Sequence, residues 1–198
     1  MATDLHELTD NLRAFHDLRG RVILSVGAGG GQFLDAYRDV ARIVAVDSDP
    51  AALRQLEAGV AARGLQDRVE LVLGDFFEVA RPVEVVVFEF CLHEIPDPAR
   101  GLERARSLAR EVVVYDHAPG STWAYYTVEE DKVLRSTGAM EACGIRRRAV
   151  FHGEQRFREY AELREKVASQ GPTAIERIAP FRDRRDIVIP MDYLAALL

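Results

Sequence analysis

A cluster of glycines lies between two short apolar runs, at a fixed distance from an acid, and few folds accommodate that arrangement. Arg21-Val22-Ile23-Leu24 leads into Ser25-Val26-Gly27-Ala28-Gly29-Gly30-Gly31, and Asp47 closes the next apolar run, Ile43-Val44-Ala45-Val46, twenty positions after Gly27. Glycine lets a backbone take positive φ and come close to a ligand. An acid about 20 residues further on is placed to accept ribose hydroxyls. The segment predicts a strand, a glycine turn, a helix and a second strand ending in a carboxylate, and hence a cofactor that contains adenosine.

The glycine register separates two kinds of cofactor. A dinucleotide fingerprint, G-x-G-x-x-G, needs its third glycine where helix packs on strand, and counted from Gly27 that position is Gln32. The spacing G-x-G-x-G fits instead, at Gly27, Gly29 and Gly31. With Asp47 in step, this resembles the first motif of the class I S-adenosylmethionine-dependent methyltransferases. The resemblance implies S-adenosyl-L-methionine as cofactor, with S-adenosyl-L-homocysteine as product, and a loop that holds the amino-acid end of the cofactor.

The 198 residues predict one domain: a capping helix within 1–20, a cofactor-binding core over 21–118, and substrate-side helices and last strands over 119–198. An apolar share of 48% with 29% charged residues is that of an ordinary globular protein. No basic, apolar leader occupies residues 1–10 and no apolar run approaches a membrane span, so no membrane partner and a cytoplasmic location are the default expectations. A net charge of −6 argues against general affinity for nucleic acid. Two arginine groups, Arg146-Arg147-Arg148 and Arg182/Arg184/Arg185, read as solvated faces, with an anion or partner patch as the alternative.

Strand and helix signals alternate with short connections, which implies a mostly parallel sheet covered on both faces. Leu5, Leu8, Leu12, Phe15 and Leu18 outline a first helix stopped by Gly20. Strands are expected over 22–26, 43–46, 69–73, 83–90 and 111–115, with helices over 32–39, 50–63 and 98–109. Beyond Asp116 a helix over 122–142, a strand over 145–151, a broken helix over 157–178, a strand over 186–190 and an apolar tail over 193–198 follow. The resemblance turns this into a Rossmann-like, doubly wound α/β fold of seven strands, strand seven antiparallel beside strand five.

Four stations at strand ends carry the resemblance, where open α/β sheets bind ligands. Gly27, Ala28, Gly29 and Gly31 are by analogy the methionine-binding loop, and Asp47 with Ser48 the ribose acid and its neighbour beside the adenine. Asp75 is implied to meet the adenine amino group. Phe76 and Phe77 are candidates for stacking on that ring, with a core role the alternative for either. The stretch from Phe88 through Glu89, Phe90, Cys91, Leu92, His93 and Glu94 to Ile95 is implied to line the methyl-transfer site, with Phe90 beside the cofactor. One departure stands out. The family often has an acid two residues before the first glycine, and here that position is Ser25. Glu89, expected at the end of strand four, is the candidate replacement, with a solvent-facing Glu as the alternative.

Methyl transfer is an in-line displacement, so positioning does much of the work and a base is needed only when the acceptor must lose a proton. Of five histidines, His93 and His117 follow strands four and five and are the leading base or orienting candidates, while His6, His16 and His152 read as structural. Adjacent residues of a strand point oppositely, so Asp116 is better placed to pair with His93 across the strand ends than with His117. Glu94, Trp123, Tyr125 and Tyr126 are candidate acceptor contacts. Cys91 and Cys143, the only two cysteines, are expected to be buried, and no His, Asp or Glu group shows metal-ligand spacing, so no metal is indicated. The function implied is transfer of a methyl group to a small-molecule acceptor. Open alternatives are a protein or RNA acceptor and a non-catalytic cofactor-binding module. A nicotinamide reductase is disfavoured by Gln32 and by the lack of a Tyr-x-x-x-Lys pair. An Asn-Pro-Pro-Tyr-type signature is absent after strand four.

Overall fold

The computed structural model describes residues 5–198, so the first four residues of the expected capping segment lie outside the described residues. Strands β1 (Val22–Val26), β2 (Arg42–Asp47), β3 (Val69–Leu73), β4 (Val85–Glu89), β5 (Glu111–His117), β6 (Arg147–Glu159) and β7 (Arg185–Leu197) form one sheet in the order β3-β2-β1-β4-β5-β7-β6. The first five run parallel, and β7 is antiparallel to both β5 and β6. After β3 the chain returns to the far side of β1, so the order reverses between β1 and β4. Their carboxyl ends therefore open a crevice where a ligand fits without strand backbone in the way.

The central strands are buried on both faces, which is why they read as continuous apolar runs. In β4, Val85 and Val87 face one core while Val86 and Phe88 face the other. The first core is covered by α1 (Leu5–Phe15), α2 (Pro50–Ala62), α6 (Tyr160–Val167) and α7 (Pro172–Arg177), the second by α3 (Pro98–Leu108) and α5 (Glu130–Cys143). Local signals set several boundaries. Asp49 caps α2 by accepting from the Ala51 N–H at 2.8 Å with Pro50 at the first helical position, and Asp97 caps α3 the same way through Arg100. Among the described residues no helix is long and apolar enough to cross a membrane.

Several elements differ from the sequence expectation, each for a physical reason. The expected helix over 32–39 is a single 3-10 turn, Leu34–Tyr37, with no side-chain cap. A short connection must run back along the whole of β1, and a 3-10 turn rises about 2.0 Å per residue against 1.5 Å for an α-helix. The first helix ends at Phe15, leaving Leu18 buried in the connection to β1. The helix over 122–142 is two, α4 (Thr122–Tyr126) and α5, broken where Val128 takes a left-handed φ of 60°. The broken helix over 157–178 resolves into α6, a 3-10 turn and α7. Strand β6 is nearly twice its expected length, and the last strand and apolar tail are one strand running through Pro190. Its final residues are sandwiched between β5 and β6 and lose the alternation that marks a half-exposed strand. Pro190 pairs with Glu154 beyond the last β5 rung, His117↔Tyr193, where a missing N–H breaks no second ladder.

Helix α1 is tied to the sheet by two hydrogen bonds: the Tyr115 hydroxyl donates to the Leu8 carbonyl and Asn11 Nδ2 to the Tyr193 hydroxyl, both at 2.8 Å. Tyr115→Phe keeps the ring and removes one of these ties. Thermal unfolding of that variant is expected to show a loss of about 1 kcal/mol, a drop in Tm of about 2–4 °C.

Candidate functional site

The glycine loop closes the crevice floor. Gly27, Gly29 and Gly31 have φ of 68°, 51° and 82°, values that favour glycine. A Cβ on Gly27 would stand 2.5 Å from Cys91 Cβ and 2.7 Å from its sulfur, so two strand-end segments meet where only a hydrogen fits. The Gly29 N–H donates to Asp47 Oδ2 at 2.8 Å, fixing the acid against the loop, while Oδ1 accepts from the Asp49 N–H. Gly31 sits farther in, where a Cβ would press on Leu56, and the Ala28 side chain is buried in the core, leaving its backbone for the loop.

A cavity of about 510 Å³ opens beside this loop, walled by Gly27, Asp47, Ser48, Asp75, Phe76, Phe77, Cys91 and Glu94 among others. Asp75 accepts from the Phe77 N–H at 2.9 Å and so holds the turn that carries both phenylalanines. Phe76 is buried against Phe88, whereas Arg100 lies over the Phe77 ring, 4.7 Å from its centroid. Glu94, expected at the acceptor side, stands on this wall instead, its carboxylate 2.7 Å from Lys132 and 3.3 Å from His93 Nε2. It follows the Cys91 side of the turn, and those two partners hold it well below the usual carboxylate range, at about 2.

Beneath the loop lies Glu89. It is buried, and its Oε1 accepts from the Tyr37 hydroxyl at 2.5 Å and from the Ser25 hydroxyl. Ser25, in the position expected to hold an acid, thus points at one. Burial raises the Glu89 carboxyl to about 7, against the lowering effect of the Ser25 and Tyr37 hydrogen bonds. The solvent-facing alternative does not hold.

A second cavity of about 690 Å³ lies on the other side of the β4 end, walled by Phe90, His117, Trp123, Phe157, Gln32, Leu8 and Met191 among others. Phe90 belongs to this wall and not to the first cavity. Its φ of 49° turns consecutive residues to opposite sides, so Phe90 faces one cavity and Cys91 the other. Trp123 stacks on Phe157 at 5.8 Å and also lines it. Tyr125 and Tyr126 line neither of these two cavities: Tyr125 is exposed under Arg177, and Tyr126 packs on Phe181. Successive residues of a helix turn about 100° apart, so Tyr125, two positions on, is turned away from Trp123, whereas Tyr126 shares that face and is taken up by its contact with Phe181.

Behind His117 is a buried polar cluster. His93 Nδ1 is 2.5 Å from Asp116 Oδ1, the cross-strand pairing expected from alternation, and the backbone N–H groups of His93 and His117 also donate to that carboxylate. Burial opposes a charge on His93, but Asp116, Glu94 and Glu129 outweigh it and raise it to about 10. Burial drives His117 down to about 4 despite Asp116, so its ring is neutral at neutral pH. Glu129 completes the group, with Oε2 3.9 Å from Nε2 of each histidine. Sequence reasoning missed it, because 122–142 reads as one helix and the break at Val128 leaves no Gly or Pro signal. The other histidines are apart: His16 lies near Glu111 and Arg147 at the amino end of the sheet, and exposed His152 pairs with Asp192. Cys91 donates to the Val26 carbonyl and burial raises its thiol far above the usual range.

The buried Glu89 has a consequence for stability. Its carboxyl ionises near 4.5 in the unfolded chain and near 7 when folded, so the folded state holds the extra proton between those values. Stability falls as pH rises through that window, by about 3 kcal/mol. Glu89→Gln cannot ionise, so in urea unfolding it is expected to match the parent chain near pH 4 and exceed it at pH 8. An equal difference at both values would remove the buried-charge explanation.

Comparison with known proteins agrees with this geometry. The methyltransferase-domain family matches residues 24–111. A curated relative, the type II methyltransferase M.XamI of Xanthomonas campestris pv. amaranthicola, is 41% identical over 64 residues, which are 30% of this chain and 12% of that protein. The chain therefore matches only a small part of that relative's length. A solved putative methyltransferase from Bacillus halodurans C-125 superposes with a TM-score of 0.66 at 20% identity, covering 98% of this chain and 97% of that one. A SAM-dependent methyltransferase from Aquifex aeolicus does so at 0.58 and 16% identity, covering 96% and 89%. The strand order, the glycine loop and the Asp47 carboxylate held against it agree with these matches: residues 24–111 resemble the methyltransferase domain, and the chain shares the fold of solved methyltransferases.

Proposed function

We propose that this chain transfers a methyl group from S-adenosylmethionine to a small-molecule acceptor. The observation that carries this reading is the pair of cavities that back onto each other at Phe90-Cys91, one with adenosine-binding chemistry and one whose wall mixes apolar side chains such as Phe90 and Trp123 with polar ones such as His117 and Gln155. The residues fit the cofactor by two observations. Gly27 walls the first cavity in a left-handed conformation that presents its backbone with no side chain in the way, and Glu89 is a buried acid with two hydroxyl donors and no cationic partner among its described hydrogen bonds. When bound, the cofactor supplies an electrophilic methyl on a sulfonium and a neutral thioether leaving group.

The chain's own residues divide the remaining work. Asp47 accepts the ribose hydroxyls and Asp75 the adenine amino group, with Ser48 and Phe77 on the surrounding wall. Glu89 takes the place of the family's usual acid, and its carboxylate receives the α-ammonium directly or through water. On the acceptor side Phe90 and Trp123 give the apolar walls that exclude water, and a volume of about 690 Å³ suits a small ligand. His117, backed by His93, is the polar group that orients the acceptor's nucleophile in line.

Thermal shift with S-adenosylmethionine, S-adenosylhomocysteine, NADH and NADPH in parallel is the first test, and stabilisation by the nicotinamides alone sinks the assignment. Glu89→Gln is expected to weaken S-adenosylmethionine binding roughly tenfold, the effect of one charge-assisted hydrogen bond of about 1.5 kcal/mol. His117→Ala should leave that Kd within about twofold and lower methyl transfer to small-molecule extracts by about two orders of magnitude. Labelling of protein or RNA fractions in place of small molecules would reassign the acceptor class.

A further inference from the structure

The cluster behind His117 has the composition of a metal centre. One ligand atom from each of His93, His117 and Glu129 lies within 4.8 Å of the other two, and all three residues are buried. Glu129 Oε2 is 3.9 Å from Nε2 of both histidines. Donors about 2.0–2.2 Å from a tetrahedral zinc ion stand about 3.3–3.5 Å apart, so each carboxylate–imidazole distance must close by about half an ångström and the distance between the two imidazoles by at most about 1.4 Å. We propose that His93, His117 and Glu129 bind one divalent cation of the zinc type.

Three independent features support the site. The first is orientation. Asp116 receives the Nδ1 proton of His93, so Nε2, 3.3 Å from Glu94 and 3.9 Å from Glu129, is the ring atom on which an ion would replace a proton, and carboxylate partners behind a ligating imidazole are the usual arrangement around zinc. Glu129 is steadied in turn by the Thr127 hydroxyl on Oε2 at 2.6 Å and by Gln170 on Oε1 at 3.1 Å. His117 Nδ1 is buried without a hydrogen-bond partner, so Nε2 is the ring atom aimed at the cluster.

The second feature is charge. The Asp116 and Glu129 carboxylates are both buried, and leaving buried charges uncompensated is expensive. Lys132 is engaged with Glu94 at 2.7 Å. A divalent ion at this place would offset both carboxylates. The third is backbone strain. Val128, a β-branched residue, holds a left-handed φ of 60° at the break that turns Glu129 inward, a strained conformation for such a side chain. A regular helix would carry Glu129 elsewhere.

Three ligands from the turn after β4, the end of β5 and the α4–α5 break would make the ion a staple across the acceptor side. Because His117 also walls the larger cavity, the fourth position is open to water or to an acceptor oxygen, whose proton the ion would render more acidic. That last step rests on the methyl-transfer reading; binding of the ion does not.

The test uses the whole chain without a polyhistidine tag and without cofactor or acceptor. After zinc loading and dialysis, elemental mass spectrometry should find one zinc per chain, and cobalt substitution should give the visible bands of a tetrahedral site. Asp116→Asn should lower zinc affinity about 10–100-fold, Glu129→Gln at least tenfold, and His152→Ala not at all, each with an unchanged circular dichroism spectrum. Absence of stoichiometric zinc, or equal retention in Glu129→Gln and the parent, overturns the proposal and leaves the cofactor and acceptor tests untouched. Should a variant fail to fold, the parent's stoichiometry and cobalt spectrum still decide.

Discussion

The parallel pairing of β1 with β4, in register from Ile23↔Val85 to Val26↔Phe88, is the constraint on which the rest of the molecule depends. It joins the two strands at which the sheet order reverses, so their carboxyl ends meet with no strand crossing above them. The three residues that follow Phe88 then go three ways. Glu89 goes under the glycine loop, Phe90 to one cavity and Cys91 to the other. Parallel strands this buried tolerate no slip: shifting β4 by one residue would exchange Val87 for Phe88 in the cores and carry Glu89 away from Ser25.

Buried polar chemistry is concentrated at this same end. Glu89 is held by hydroxyls, Asp116 by three N–H donors, and Glu129 by Thr127 and Gln170. Each arrangement lowers the desolvation cost of a carboxylate that the packing alone would expel. The opposite end of the sheet is built from half-exposed pairs such as Arg13–Asp39 and Arg21–Glu84, which contribute little to stability.

How much was legible in the sequence follows from how local each signal is. The loop from Gly27 to Gly31, its distance to Asp47, and the caps at Asp49-Pro50 and Asp97-Pro98 depend on neighbours within a few residues, and all are where their spacing puts them. The Ser25–Glu89 partnership could be guessed because a missing charge implies a replacement at an adjacent strand end. The Asp116–His93 pairing followed from strand alternation. That Tyr125 and Tyr126 line neither of the two cavities was not legible, because an aromatic-rich helix start does not reveal which side is packed. The long β6–β7 arm was hidden because Pro190 and the buried run from Tyr193 imitate a strand end and a tail. Glu129 left no signal at all, since its role depends on a backbone break whose cause is tertiary and whose partners lie at 93 and 117.

The two cavities differ in the span of chain needed to build them. The first draws its described walls from residues 26–96, and its strands are joined by short crossovers. The second brings Leu8 together with Met191, and the helix that carries Leu8 is secured through Asn11 and Tyr193. Closing contacts over so long a stretch is slow relative to local pairing, and during synthesis the early segment emerges first. The first cavity can thus be assembled while β7 is still unmade, and the wall of the second is finished only when the last strand slides in beside β5. A chain stalled before that step would present a formed crevice next to an open apolar face, the species most exposed to aggregation and to protein quality control.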